Sequence, residues 1–388
     1  MTRVDDASHS FVSCEKIAVN GGQFTRDPRF EVMRIVAMLL IVSCHVVANI
    51  PWNLEDDGDT VSRAFAIAWD QYAGQIGVCI FFLLSGYFLV NKTFRASRIL
   101  SVVVQTFLYS APVIALQAVL LAIHPSDGIS AMFSKGQLFH TLYSSLLPVF
   151  NGTYWFITAY VLMMLASPYL NRILHDSERS SRNCIVLLLA VSMMPVLSLS
   201  PSVWTTWTYA ITVYLIGGWM RLYGVDLRVR FNCRWQMSVI YVVAAYAMLS
   251  AFVYASLRFG FWDWLRSDER RTFGVIPLLE LAIAAMLLMM TASLRQSVRN
   301  VKSEKRGHVI MTISSSVFGV YLIHENPYVR ANLWRALGAL IPAPGNTAGV
   351  IVETVAITAG LFVMLSAAAF MYDAIVVHPI QRLLKLRS

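Results

Sequence analysis

Residues 33–50 read MRIVAMLLIVSCHVVANI, an apolar run interrupted by one arginine and one histidine. A bilayer core about 30 Å thick is crossed by about 20 mostly apolar helical residues, so this run predicts a membrane-spanning helix. Similar runs bounded by charged residues follow at 72–91, 99–123, 154–170, 183–200, 203–223, 236–257, 273–294, 309–327 and 348–376. The predicted fold class is all-α, a polytopic membrane helix bundle of about ten transmembrane helices.

The composition of the 388-residue chain excludes two other classes. Hydrophobic residues make up 57% of the chain and charged residues 14%, whereas soluble domains average about 45–50% apolar and about 25% charged residues. A soluble globular domain and a disordered chain are therefore both excluded. The five cysteines are scattered without a Cys-x-x-Cys pair, so they predict neither a disulfide framework nor a zinc site, and we expect no metal.

The net charge of +9 bears on orientation. With the amino end in the cytoplasm, most of the 31 Lys and Arg fall on the inner side, and the first outer loop is acidic. Basic clusters on that inner side are Arg228, Arg230 and Arg234, then Arg295, Arg299, Lys302, Lys305 and Arg306. This asymmetry predicts an N-in, C-in topology and gives the positive charge a role other than binding nucleic acid.

Three regions are predicted along the chain. Residues 1–28 form a cytoplasmic N-terminal tail without the apolar core of a signal peptide, 29–377 form the membrane domain, and 378–388 form a short cytoplasmic C-terminal tail. The apolar segment 138–150 is too short to span a bilayer, which favours an interfacial or re-entrant piece. Any chemistry must therefore take place in or beside the bilayer.

Ionisable residues inside the first predicted span are candidates for function, because they are costly in a membrane. Arg34 and His45 are eleven positions apart, which is three helical turns plus about 20°, so both face the same side. One helix face would place an anion-binding group at the cytoplasmic mouth and a proton acceptor beyond mid-membrane. The alternative is that Arg34 is a snorkelling anchor and His45 a polar packing residue.

Further ionisable residues lie in the outer halves of later spans. They are His324 and Glu325 in the ninth, Glu280 in the eighth and Glu353 in the tenth. A carboxylate bound to a histidine fixes its tautomer and raises its basicity, as general-base catalysis requires. The alternative is that some of these groups are interfacial and pair with Arg330 or Arg335.

Two short motifs follow the second span's apolar core. Ser85-Gly86 would let helices approach closely, and its simplest interpretation is a packing contact. Arg95 and Arg98 share a helix face at i, i+3 and could grip a diphosphate, although the positive-inside rule also favours basic residues there. The chain contains no P-loop, nucleophile elbow or His-Glu-x-x-His motif, which argues against ATP-driven transport, an α/β-hydrolase and a zincin.

The sequence resembles the acyltransferase-3 family of integral-membrane acyltransferases. The resemblance rests on Arg29-Phe-Glu31-Val-Met-Arg34 followed by His45, on Gly77 to Phe88, on Arg95-x-x-Arg98, and on Ser314 to His324. Tyr154-Trp155-Phe156 is similar to the branch that acylates sugars and polysaccharides. Leu100 departs from the pattern, because many members have proline after Arg-Ile.

The resemblance implies transfer of an acyl group from cytoplasmic acyl-CoA, with acetyl as the first expectation, to a hydroxyl of a cell-surface polysaccharide or its lipid-linked precursor. It implies that Arg34, Arg95 and Arg98 bind the donor. His45 would act as general base or transient acyl carrier, assisted by His324 and Glu325. Acceptor contacts are expected at Ser85, Tyr87 and Trp155. The expected location is a bacterial cell membrane, with a multi-pass chain in the lipid bilayer.

Two rival interpretations remain at this stage. A transporter or flippase of a polysaccharide precursor would use the same buried His and Glu residues without acyl transfer, and a pure membrane scaffold would leave them without a purpose. The sequence leaves open the acyl group, the acceptor, direct transfer versus an acyl-histidine, and whether copies of the chain form a homo-oligomer.

Overall fold

The computed structural model describes residues 27–50, 52, 60–123, 130, 132–192, 206–224, 235–260, 277–293, 301–341 and 347–386. Over these residues all regular structure is helical, and no strand occurs. The predicted all-α polytopic bundle is confirmed. The N-terminal tail predicted at 1–28 lies outside the described residues apart from its last two positions.

The first helix, α1 (Pro28–Asn49), begins where the sequence provides an N-cap. The Asp27 carboxylate accepts a hydrogen bond from the backbone N–H of Arg29 at 3.0 Å, and proline in the first turn has no N–H that needs a partner. The capped start fixes the register of α1, and with it the positions of Arg34 and His45 along the bundle.

The second helix, α2 (Thr60–Leu89), begins well before the predicted span at 72–91. Ala64, Ala68 and Tyr72 recur every four residues and are all buried, so the helical apolar pattern extends past Asp70. The predicted span begins at Tyr72 because spans are drawn as apolar runs bounded by charged residues, and Asp70 carries a charge. The earlier start of α2 brings Asp70 into the helix.

The remaining helices are α3 (Ala96–Ile123), α4 (Leu138–Leu146), α5 (Trp155–Asp176), α6 (Glu178–Ser192), α7 (Thr206–Tyr223), α8 (Trp235–Arg258), α9 (Pro277–Ser293), α10 (Val301–His324), α11 (Pro327–Leu340), α12 (Thr347–Tyr372) and α13 (His378–Leu383). A π-helical turn, Asp373–Val377, joins α12 to α13. Helix α4 lies within the short apolar segment predicted at 138–150.

Among the described residues, seven helices are long and apolar enough to cross a membrane, namely α1, α2, α3, α5, α8, α10 and α12. The apolar part of α9, Leu278–Ser293, is shorter. Helices α6 and α7 fall on two more of the predicted spans. Each of the ten predicted spans therefore overlaps a helix, although residues 193–200, 203–205, 273–276 and 294 of these spans lie outside the described residues. The number of helices that cross the bilayer stays a prediction.

Close packing at two glycines places α1 and α7 against α2. A Cβ at Gly77 would overlap the backbone oxygen of Ala37 on α1, and a Cβ at Gly86 would overlap the backbone oxygen of Tyr214 on α7. Small residues allow such close approach of membrane helices. Helix α10 packs against both α1 and α12, so α1 contacts α2 and α10.

Candidate active site

One cavity of about 420 Å³ connects the Arg34 and His45 ends of α1. From α1 it is lined by Arg34, Met38, Ile41 and His45, and from α2 by Asp70, Gly74, Val78, Phe81, Ser85 and Phe88. Both sets follow the three- and four-residue spacing of a single helix face. Helices α5 and α10 contribute further walls. The predicted common face of Arg34 and His45 thus opens onto a shared space, about 16 Å long between their Cα levels at 1.5 Å per residue.

At the His45 end, two side chains converge on one ring nitrogen. His45 Nδ1 lies 3.1 Å from His324 Nε2 and 3.3 Å from Glu325 Oε1. The other nitrogen of the second histidine, His324 Nδ1, lies 2.7 Å from the backbone oxygen of Val320. The residues predicted as a catalytic group therefore meet in space, although they come from distant parts of the chain.

These contacts determine the tautomers of the two neutral rings. A carbonyl oxygen only accepts, so His324 Nδ1 carries a hydrogen and His324 Nε2 presents a lone pair. His45 Nδ1 then faces two acceptors, the His324 lone pair and the Glu325 carboxylate, so it carries the donated hydrogen. The remaining nitrogen, His45 Nε2, is left with a lone pair that can take a proton or attack a carbonyl.

Glu325 is positioned by the break between α10 and α11. Pro327 disfavours helical backbone at the preceding residue, and the Asn326 side chain caps α11 by accepting from the Tyr328 N–H at 3.0 Å. Arg330, in the first turn of α11, lies 3.3 Å from the second carboxylate oxygen, Glu325 Oε2. The pairing of Glu325 with Arg330 that the alternative interpretation predicts is present, and it occurs together with the contact to His45.

Tyr154 ties this break to the start of α5. Its hydroxyl donates to the backbone oxygen of Leu322 at 3.1 Å and accepts from Asn326 Nδ2 at 3.0 Å. Tyr154 and Asn326 are both about 1% exposed. Since Leu322 precedes and Asn326 follows the pair His324 and Glu325, the two hydrogen bonds hold that pair from both sides.

The same three side chains form a set of potential metal ligands. One donor atom each from His45, His324 and Glu325 lies within 4.8 Å of the others, and two imidazoles with a carboxylate suit several divalent cations. The hydrogen on His45 Nδ1 accounts for the close contacts without an ion. The expectation that no metal takes part stays a prediction.

At the opposite end of the cavity, Arg34 is held by a buried carboxylate. Glu31, 2% exposed, accepts from the Arg34 guanidinium and from the Ser314 hydroxyl on α10. The guanidinium also lies over the ring of Phe88, 5.8 Å from its centroid. Arg34 is itself half-buried, so a cation is fixed in direction at the mouth of the cavity rather than swinging out to solvent.

Arg95 and Arg98 follow the end of α2, on the side of the bundle that carries Phe88 and Arg34. Arg95 is exposed just before α3, whereas Arg98 is half-buried in its first turn and donates to the backbone oxygen of Thr93 at 3.2 Å. Neither lines the cavity. Their predicted role at the donor phosphates stays a prediction.

The three predicted acceptor contacts are placed differently. Ser85 and Trp155 line the cavity. Tyr87 is buried away from it, packed against the ring of Phe30 at 5.5 Å between centroids and against the Arg221 guanidinium. Because it does not face the cavity, we leave Tyr87 out of the candidate site.

The other ionisable residues predicted within spans lie apart from the cavity. Glu280 on α9 is fully buried, and neither carboxylate oxygen has a hydrogen-bond partner among the described residues. Glu353 on α12 is half-buried. Neither lines the space between Arg34 and His45.

Two residues at the cavity were not singled out from the sequence. Glu31 orients Arg34, and the signal was available, since opposite charges at i, i+3 share a helix face. Asp70 lines the cavity together with His45. It lies outside the predicted span at 72–91, since a charged residue ends the apolar run. The helical pattern of Ala64, Ala68 and Tyr72 continues on both sides of Asp70, and this pattern places Asp70 inside α2.

A polytopic helix bundle with a histidine–carboxylate group beside an internal cavity is compatible with a membrane-embedded enzyme and with a transporter. The sequence model of the acyltransferase-3 family, described as an acyltransferase domain, matches residues 27–373. The chain belongs to this family. No curated protein and no solved structure matches the chain.

Proposed function

We propose that this membrane acyltransferase moves an acyl group from cytoplasmic acyl-CoA to a hydroxyl of a cell-surface polysaccharide or its lipid-linked precursor. Acetyl is the proposed acyl group, and a bacterial cell membrane is the proposed location. The observation that carries the proposal is a continuous cavity with a fixed cation at one end and, at the other, a histidine whose Nε2 carries a lone pair.

The Arg34 end suits the donor's phosphates. A guanidinium binds phosphate oxygens through paired N–H donors, and Glu31 keeps that group at the cavity mouth. Arg98 and Arg95 add positive charge on the same side of the bundle and would steer an anionic donor towards it. The mostly apolar middle of the cavity, between Met38 and Phe81, suits the uncharged arm that carries the thioester.

The His45 end suits the chemistry. In direct transfer, His45 Nε2 takes the proton of the acceptor hydroxyl while the oxygen of that hydroxyl attacks the thioester carbonyl. The C–S bond then breaks, and the thiolate of CoA receives the proton from His45. The positive charge that His45 carries meanwhile is stabilised by Glu325, 3.3 Å from its Nδ1. In the alternative branch His45 Nε2 attacks the thioester carbonyl, the C–S bond breaks and CoA leaves as the thiolate. The acceptor hydroxyl then attacks the acyl-imidazole, the N–C bond to His45 breaks, and the hydroxyl proton goes to the CoA thiolate.

A simple assay separates this proposal from a transporter or flippase. Detergent-purified protein is given acetyl-CoA, and released CoA thiol is measured with and without a sugar acceptor. We expect release by the wild type, none by His45→Ala, and near wild-type release by His140→Ala, an exposed histidine outside the cavity. A wild type that moves a lipid-linked sugar across vesicles without releasing CoA would refute acyl transfer and leave transport.

A further inference from the structure

Asp70 lies level with the candidate catalytic histidine. The Cys44 thiol donates to the backbone oxygen of Asp70 at 3.0 Å, and His45 is the next residue of α1. Both Asp70 and His45 line the cavity. Helix α2 therefore presents a second carboxylate, besides Glu325, at the end of the cavity where acyl transfer is proposed.

A second polar group follows Asp70 on α2. Gln75 lines the same cavity, and its Oε1 atom is buried without a hydrogen-bond partner among the residues that the structure describes. A buried amide oxygen without a partner is destabilising, so native proteins seldom leave one unless a ligand or water satisfies it. Gln71 Nε2, on the same helix, donates to Asp70 Oδ2 at 2.7 Å.

The chemistry of these groups indicates what they bind. Carboxylate oxygens and an amide oxygen are acceptors, so the ligand must bring several hydrogen-bond donors. The phosphates of the acyl donor do not fit here because they are anionic, and its acetyl group does not fit because it has no N–H or O–H donor. A polyhydroxylated acceptor fits, and Trp155 on α5 adds an aromatic wall suited to the C–H face of a sugar ring.

We propose that Asp70 and Gln75 form the subsite that holds a polyhydroxylated acceptor, through hydroxyls other than the one that is acylated. The inference rests on the proposed function. Asp70 and Gln75 position the acceptor beside His45 and take no part in proton transfer, so their loss weakens acceptor binding while leaving attack on the donor by water or by a simple alcohol unchanged.

The test compares two kinds of acceptor with one donor. Purified full-length protein is given acetyl-CoA with a panel of methyl pyranosides or with ethanol, which has one hydroxyl. For Asp70→Asn and Gln75→Leu we expect the pyranoside KM to rise about tenfold to a hundredfold, the range for losing a hydrogen bond to a charged group or a buried polar group. In both variants, the rates of transfer to ethanol and of CoA release without acceptor should stay within about twofold of the wild-type rates. The control Asp176→Asn, at an exposed carboxylate outside the cavity, should keep all rates within the same range.

Three results would overturn the subsite. An unchanged pyranoside KM in both variants removes Asp70 and Gln75 from acceptor binding. An equal fall in acceptor-free CoA release, with a lowered unfolding temperature, shows a structural role instead. A wild type that acetylates ethanol but no pyranoside contradicts a polyol acceptor while the proposed function stands. If the wild type releases no CoA at all, the proposed function itself fails, and this inference with it.

Discussion

Replacing Glu325 by glutamine tests the histidine–carboxylate pair most sharply. The substitution keeps the shape of the side chain and removes its charge. His45 Nδ1 still has His324 Nε2 as an acceptor at 3.1 Å, so the tautomer with a free Nε2 lone pair is retained. What is lost is the negative charge that faces His45 when it becomes positive during the reaction.

The size of the effect follows from the geometry. Opposite unit charges 3.3 Å apart attract by about 5 kcal/mol at an effective dielectric constant of about 20. Arg330, at the same distance from the other carboxylate oxygen, neutralises part of that charge. We therefore use the range for a hydrogen bond to a charged group, about 1.5 to 3 kcal/mol, which lowers kcat about 10- to 150-fold.

The assay measures kcat and donor KM for acetyl transfer by Glu325→Gln, by His45→Ala and by the double variant. Glu178→Gln, an exposed glutamate at the start of α6, is the matched control and should behave as the wild type. We expect a lower kcat with an unchanged donor KM. Because Glu325 acts through His45, the double variant should be no slower than His45→Ala alone.

Two outcomes would refute this reasoning. A Glu325→Gln variant that keeps more than half of the wild-type kcat shows that the carboxylate does not stabilise the charged histidine. A variant in which only the donor KM rises places Glu325 in donor binding, at the wrong end of the cavity.

Three further predictions concern donor binding, helix packing and support of the catalytic pair. Arg34→Ala should raise the donor KM about 10- to 150-fold through loss of a charge-assisted hydrogen bond. Arg172→Ala, at an exposed arginine, should leave the donor KM unchanged. Equal donor KM values for the two variants would contradict a role of Arg34 in donor binding. Gly86→Ala should lower the free energy of unfolding by about 1 to 3 kcal/mol through overpacking, measured by thermal unfolding. Gly360→Ala is the control and should not destabilise the protein, because a Cβ there meets nothing within 4 Å. Similar unfolding temperatures for the two variants would disprove the close contact at Gly86. Tyr154→Phe should lower kcat without changing donor KM, because the bonds that hold the segment around Glu325 are lost, and a kcat equal to that of the wild type would remove Tyr154 from that role.

The part of the site that lies on one helix could be predicted from the sequence. Arg34 and His45 share a face by helical geometry alone, and both open onto the same cavity. The apolar lengths likewise predicted a helix at each of the ten spans. Local periodicity determines these features, because they depend only on spacing along α1 or on the composition of one segment.

The part that depends on neighbouring helices could not be predicted in this way. Nothing in the spacing shows that α10 packs beside α1, and so the contact between His45 and His324 emerges only from the fold. Tyr87 is different, because helical geometry alone separates it from Ser85: residues two apart on a helix lie about 200° apart, and Tyr87 points away from the cavity. Asp70 lies inside a long helix, but a search for apolar runs bounded by charged residues leaves it outside the predicted span.

The most direct test of the central claim locates the acyl group in the cavity. Bromoacetyl-CoA carries an electrophile at the acyl position and alkylates nearby nucleophiles, which peptide mass mapping then identifies. We predict an adduct on His45 or on the adjacent Cys44, which also lines the cavity, and we expect excess CoA to suppress its formation. An adduct confined to Cys184, a half-buried cysteine outside the cavity, or labelling that CoA does not suppress, would contradict an acyl donor that reaches from Arg34 to His45.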